Sequence, residues 1–201
     1  MHPDQFIVLN SKSRKVVERS VAELYYHSEV LDLMKLKNDS KIQLHIGGRY
    51  DDKNKSISRF LDEFKRLDDK IKNRLVIEND DHIYSLNDCL ILSEKIDIPV
   101  LFDYFHHLIF NNNEYIRNCY KSVNETWNDE DGIPMIDYSS QKPGSKIGRH
   151  AEIIDVLDFK NFIEKTEPFN FDIMLEIKNK EKSALKAIEI IKNDVRFEKR
   201  K

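Results

Sequence analysis

The sequence predicts an α/β fold of parallel strands covered by helices, either a TIM-type (β/α)8 barrel or an open doubly wound sheet. Three observations predict it. Short apolar segments recur at residues 41 to 46, 73 to 78, 98 to 103, 133 to 138 and 171 to 177, each followed by a longer stretch with helical periodicity. They are nearly continuous in their apolar character, as strands buried on both faces are. Each carries an acid or a histidine at or near its C-terminal end.

Residues 16 to 36 read as an amphipathic helix preceding the first of these strands. After it, Ile57, Phe60, Leu61, Phe64, Leu67 and Ile71 recur at helix spacing, which predicts a helix over 54 to 72. Ser85, with Asp88 three residues on, resembles a capping box that opens the next helix. The Asn111-Asn112-Asn113 run and the segment from Asn128 to Gly132 read as loops, and 181 to 199 as a last helix with a basic end suited to its C-terminal dipole. No glycine-rich phosphate loop follows any strand, since Gly47-Gly48 lacks the G-x-G-x-x-G spacing, and a dinucleotide fold is disfavoured. Residues 1 to 201 are expected to form one domain.

Composition sets the outer bounds. With 40% hydrophobic and 34% charged residues, the 201-residue chain reads as a soluble globular protein. No apolar run approaches the roughly 18 to 20 residues that span a bilayer, and no signal-peptide pattern opens the chain, so a cytoplasmic location is expected. Cys89 and Cys119 lack any paired-ligand spacing and read as core residues. The net charge of −3 offers no global attraction for nucleic acid. That argument weakens where carboxylates hold divalent cations, which reverse the local field.

The strand ends carry the chemistry. Read to their C-termini, the strands present His45, Glu78, Asp103, Asp137 and Glu176, with His106 three residues after Asp103. His2 and His150 complete a set of eight. In a barrel, all these ends converge on one face. An imidazole and carboxylate set without thiolates suits manganese, zinc or magnesium, and eight ligands imply two or three ions. Such clusters serve phosphodiester hydrolysis. Any one of these residues alone reads as an ordinary hydrogen-bonded group, but several buried acids at one sheet end cost several kcal/mol each, in order of magnitude, unless neutralised. His27, His82 and His107 fit no such position. Basic residues cluster beside the same positions: Lys12, Arg14 and Lys15 after the chain's opening segment; Arg49, Lys53 and Lys55 after His45; Lys142, Lys146 and Arg149 after Asp137; Lys178, Lys180 and Lys182 after Glu176. They suit phosphate contacts, although a single lysine more often marks a solvated rim.

Six motifs, in order, resemble the UV damage endonuclease family: MHPDQFIVLNS at 1 to 11, LHIGG at 44 to 48, IENDD at 77 to 81, VLFDYFHH at 100 to 107, IPMIDYSSQ at 133 to 141 and MLEIKNKE at 174 to 181. The resemblance implies a TIM barrel with a divalent-metal cluster, usually manganese, that nicks DNA 5′ to UV photoproducts to start excision repair. It implies metal ligands at His2, His45, Glu78, Asp103, His106, His150 and Glu176; of these, Glu78, Asp103 and Glu176 are expected to be catalytic. Gln5 and Phe6 fall where the family places residues that wedge into damaged duplex, and Arg49, Lys146, Arg149 and Lys178 are the expected backbone contacts. Damaged double-stranded DNA is the implied partner.

The chain departs from the family in two ways. Met135 and Asp137 stand where many relatives have lysine and histidine; Asp137 remains a ligand for hard cations, whereas Met135 supplies no amine. The motifs also match only the end of a third strand and strands four to eight, so an incomplete barrel is expected, with exposed edges and a need for a missing N-terminal segment or complementing chain. The alternatives are an abasic-site endonuclease or sugar isomerase of a related metal-dependent barrel, or an inactive fragment.

Overall fold

The structure, a computed structural model, describes residues 1–50 and 52–198. Its strands are β1 (Ile42–His45), β2 (Leu75–Glu78), β3 (Val100–Asp103), β4 (Met135–Tyr138) and β5 (Asp172–Leu175), each inside a segment expected from sequence. All pair in parallel, in the order β1-β2-β3-β4-β5. Sequential order decides between the two architectures. A doubly wound sheet reverses its order at a switch point, whereas a barrel adds each strand beside the last.

Curvature supports the same reading. Gln43 on β1 hydrogen-bonds Asp137 on β4 at 2.5 Å, and Lys41 below it reaches Asp131 before β4 at 2.6 Å. In a flat sheet, strands three places apart lie about 14 Å from one another. The sheet therefore curls, and the inner faces of β1 and β4 meet. Beyond β1, Met1 donates its amino group to the Lys41 carbonyl and accepts from the Gln43 amide, bracketing Ile42 as a parallel ladder does. The β5 residues Ile173, Met174 and Leu175 are only half-buried, unlike the core of β1 to β3, so that side of the sheet is open.

The helices are α1 (Arg14–Leu33), α2 (Lys53–Arg66), α3 (Asp69–Lys72), α4 (Leu86–Ile96), α5 (Tyr104–Ile109), α6 (Ile116–Asn124), α7 (Val156–Lys165) and α8 (Glu181–Ile191). The capping box is present: the Ser85 side chain accepts from the Asp88 amide, and Asp88 accepts from the Ser85 amide. Two helix expectations need correction. The helix over 54 to 72 breaks at Leu67 and Asp68, both extended, because the Asp68 carboxylate caps α3 through the Lys70 amide. The last helix ends at Ile191 with no basic residue in its last turn; a short run at Asp194–Arg196 turns the chain back, and residue 199 lies outside the described residues.

The core lies between sheet and helices, where Leu44, Phe60, Ile77, Phe102, Tyr138, Phe159 and Phe162 are among the buried residues. Cys89 and Cys119 are buried free thiols within it, as expected. No helix among the described residues is long and apolar enough to cross a membrane.

Candidate metal centre

All eight candidate ligands meet at the C-terminal rim of the sheet. Glu78 is the hub: His2 Nε2 lies 3.3 Å and His45 Nε2 3.7 Å from its Oε2, and His106 Nδ1 lies 3.5 Å from its Oε1. His106 Nδ1 is also 3.0 Å from Asp103 Oδ2, and His150 Nδ1 is 3.5 Å from Glu176 Oε2. Asp103, Asp137 and Glu176 offer oxygens within 4.8 Å of one another, as do the atoms of His2, His45 and Glu78, and of Glu78, Asp103 and His106. The His106 and His150 rings, 5.9 Å apart, join the two halves.

Local structure explains the placement. Asp103 ends β3 and caps α5 by accepting from the His106 amide at 2.7 Å, so one helical turn sets His106 above its own strand. His150 sits on a loop whose Gln141 pairs with it in an antiparallel bridge, and its Nδ1 also faces the Glu176 carbonyl at 3.0 Å. Glu176 itself lies just past β5, its amide donating to the Tyr138 carbonyl.

Two contributors went unseen in the sequence. Asn79 donates to the Asp103 carbonyl and accepts from the Asp103 amide, fixing the backbone that carries that acid. Gln43 is buried and donates to Glu78 Oε2 at 2.6 Å as well as to Asp137. Gln43 follows strand alternation and shares a face with His45, and Asn79 lies just past the end of β2. An amide in an apolar strand was the only available signal.

The electrostatics are unusual for a protein interior. Glu78, Asp103 and Asp137 are buried, yet among the described residues no lysine or arginine pairs with any of them. Burial pushes the Asp103 carboxyl well up, opposed by His106 and reinforced by Glu78. Burial likewise raises Asp137, helped by the charges of Glu78, Asp103 and Glu176. For Glu78, burial is outweighed by His106, His2, His45 and Gln43, which hold it below the ordinary carboxylate range. His106 is pushed up to about 10, burial opposing and Glu78 and Asp103 prevailing, and the hydrogen bond to Glu78 raises His2. Protons thus occupy the places where positive charge is wanted.

Buried atoms without hydrogen-bond partners line the same space: Glu78 Oε1, Asp137 Oδ1 and His45 Nδ1. Orphaned buried polar atoms of this kind are costly and call for an explanation. Carboxylate oxygens and imidazole nitrogens converging from four strands, one helix and three loop positions match the coordination preferences of hard or borderline divalent cations. The residues present therefore fit a metal cluster.

A model of the UV-endonuclease UvdE family matches residues 1–199. The chain belongs to the UvdE family. It is 42% identical over 194 residues to a UV DNA damage endonuclease of Clostridium perfringens (strain 13 / Type A), covering 96% of this chain and 47% of that protein. A Bacillus cereus (strain Q1) UV DNA damage endonuclease is 34% identical over 189 residues, covering 93% of this chain and 60% of the relative. The crystal structure of SacUVDE superposes with a TM-score of 0.92 at 45% identity, covering 98% of this chain and 66% of that one. The chain thus spans about half to two-thirds of the length of these UvdE proteins. Its fold is the TIM-barrel type, with five strands and no closure by hydrogen bonds among the described residues.

The residues expected at a UvdE DNA interface are exposed. Gln5 and Phe6 form the tip of a turn closed by the Ile7 amide on the Asp4 carbonyl, and Phe6 is 74% exposed, which excludes core packing for it. Arg49, Lys146, Arg149 and Lys178 are exposed, and among the described residues none is held in an ion pair. Other basic residues of the sequence pattern are already engaged: Arg14 with Glu63, Lys53 with Asp88 and Lys142 with Glu152. Of the remaining histidines, His27 bonds the Glu23 carbonyl, buried His107 faces Cys119, and exposed His82 pairs with Asp81. None joins the cluster.

Proposed function

We propose that this chain carries the metal-binding and DNA-facing rim of an endonuclease that nicks DNA 5′ to UV photoproducts and so starts excision repair. The observation that carries the reading is the buried acid cluster without basic partners, reached by imidazoles from separate elements. His2, His45, Glu78, Asp103, His106, Asp137, His150 and Glu176 would hold two or three divalent ions; the family resemblance points to manganese, and the imidazole and carboxylate set also suits zinc or magnesium. When bound, such ions supply an activated water at neutral pH and neutralise charge on the phosphodiester.

The chain's own groups have separable tasks. Glu78, Asp103 and Asp137, buried, fix the floor of the site; Glu176, half-buried, stands where a reacting phosphate and its water would be reached. Asn79 holds Asp103 in register. Phe6, exposed on its turn beside Gln5, is shaped to enter a weakened base step, where stacking offsets the cost of unstacking. Arg49, Lys146, Arg149 and Lys178 bind backbone phosphates. The substrate of this proposal is damaged duplex DNA, and its location the cytoplasm. A complementing segment would cover the half-buried β5 on the open side of the sheet.

Incubation with manganese and UV-irradiated, untreated or depurinated plasmid tests the reading. Lesion-dependent nicking abolished by chelator is expected, from this chain alone or with the segment that relatives possess. Nicking confined to depurinated plasmid would assign the chain to abasic-site cleavage instead. No nicking in either form would withdraw the endonuclease assignment.

A further inference from the structure

Gln43 sits at the base of the cluster, buried, on the same face of β1 as His45. Its Nε2 donates to Glu78 Oε2 at 2.6 Å and to Asp137 Oδ2 at 2.5 Å, and its Oε1 is buried without a hydrogen-bond partner. One amide nitrogen carries two hydrogens, so it can serve both acids at once. The flipped amide would set a carbonyl oxygen against two carboxylate oxygens once both acids are ionised. The chemistry of its neighbours therefore fixes the orientation of this side chain, at the expense of an orphaned oxygen.

We infer that Gln43 is the positioning residue of the cation cluster, tethering the carboxylates of Glu78 and Asp137 across the barrel so that their remaining oxygens face the ions. The inference rests on the proposed metal-binding role of this rim. Asp137 has no other hydrogen-bond donor among the described residues, and its second oxygen, Oδ1, is left unpartnered. A lysine here would also reach both acids, but its charge would satisfy them and compete with a cation. The glutamine supplies direction without charge. It gives the geometry of an ion pair while leaving the negative charge for the metal.

Manganese binding to the chain, followed by electron paramagnetic resonance of free Mn²⁺, is the direct test, with circular dichroism reporting the fold. Gln43→Met, close in shape and without a donor, is expected to weaken binding about 10- to 100-fold, the usual effect of removing a partner that orients a ligand. In an Asp137→Asn background the same change should cost less, because the tether has lost one end. Gln43→Lys should fold, melt higher without metal and lose manganese binding; it is the deciding variant if Gln43→Met does not fold. An unchanged manganese isotherm in Gln43→Met, additive costs in the double variant, or wild-type affinity in Gln43→Lys would each overturn the inference. Wild-type chain that binds no manganese would overturn it together with the metal-site reading. Binding without nicking would remove only the endonuclease assignment.

Discussion

The two ends of this sheet bury charge in opposite ways. At the N-terminal end, Lys41 donates to Asp131 at 2.6 Å and to the Asn73 carbonyl, and Arg74 is spread over Asp32 and the carbonyls of Leu36, Lys37 and Ser40. Each buried cation there has an acid and backbone acceptors. At the C-terminal end, Glu78, Asp103 and Asp137 have imidazoles, amides and one another, with several oxygens and nitrogens left over. The first arrangement is complete as it stands, and the second leaves buried polar atoms without partners. Burial of charge is therefore not in itself a sign of function; the sign is burial without its partner.

The largest effect should come from damaging the complete end. Lys41→Met leaves the largely buried Asp131 carboxylate without its cation and is expected to cost about 3–5 kcal/mol, the usual penalty for removing one partner of a buried pair. Urea unfolding should show the same loss with manganese or with chelator. A loss that manganese repairs would mean that the two ends are not independent.

At the incomplete end, metal itself is the perturbation. Manganese at about a hundred times its dissociation constant should stabilise the chain by about 2.7 kcal/mol, reversed by chelator. Asp137→Asn should remove much of that gain while raising the melting temperature of the metal-free chain, because it deletes an acid that burial already disfavours. A metal-free melting temperature that falls in Asp137→Asn would contradict the account of this end as unsatisfied.

The pH dependence should differ between the ends in the same way. His106 is raised from 6.5 to about 10, so its proton stabilises the metal-free fold fully below about pH 6.5, and that contribution is lost as pH rises through about 10. Asp103 and Asp137, raised from 3.8, act in the same direction, their buried neutral forms being favourable until they ionise. Glu78, lowered, gives stability that is lost only on acidification, outside this window. Thermal unfolding in chelator should therefore show stability declining from neutral to alkaline pH. Manganese affinity should climb over the same range, since the ions displace those protons. Parallel rather than opposed trends would show that protons and cations do not share these sites.

Much of this contrast was legible in the sequence, and the legible part has a physical reason. His45, Glu78, Asp103 and Asp137 stand out because each interrupts an apolar strand at the end that a barrel points into its mouth. Gln43 and Asn79 did not stand out, because neither amide was a candidate ligand and its value lies in its partners: Asp137 across the barrel for Gln43, and the Asp103 backbone on the next strand for Asn79. The Lys41–Asp131 pair spans 90 positions, and no local pattern marks either residue. The break between α2 and α3 was hidden because Leu67 and Ile71 keep the apolar spacing through it, and only Asp68, acting as a cap, interrupts the helix. Strand ends declare their chemistry locally; partners that face each other across a curled sheet do not.

Phe6 belongs to neither end, and its substitution should have the smallest effect on folding. The ring is 74% exposed on a turn held by Asp4, whose carboxylate accepts from the Phe6 amide and whose carbonyl accepts from the Ile7 amide. Both bonds use backbone donors, so Phe6→Ala leaves the turn in place and should change stability by less than about 0.5 kcal/mol. Manganese binding should also be unchanged, since His2 reaches Glu78 from the other side of Pro3. On the proposed function, the variant should lose discrimination between irradiated and untreated duplex in a binding assay while keeping its salt-dependent affinity for both, because the ring would contribute stacking and the exposed Arg49, Lys146, Arg149 and Lys178 would contribute phosphate contacts. If Phe6→Ala kept its preference for irradiated duplex, recognition of the lesion would have to lie elsewhere on the rim, and the exposed ring would be left without a role.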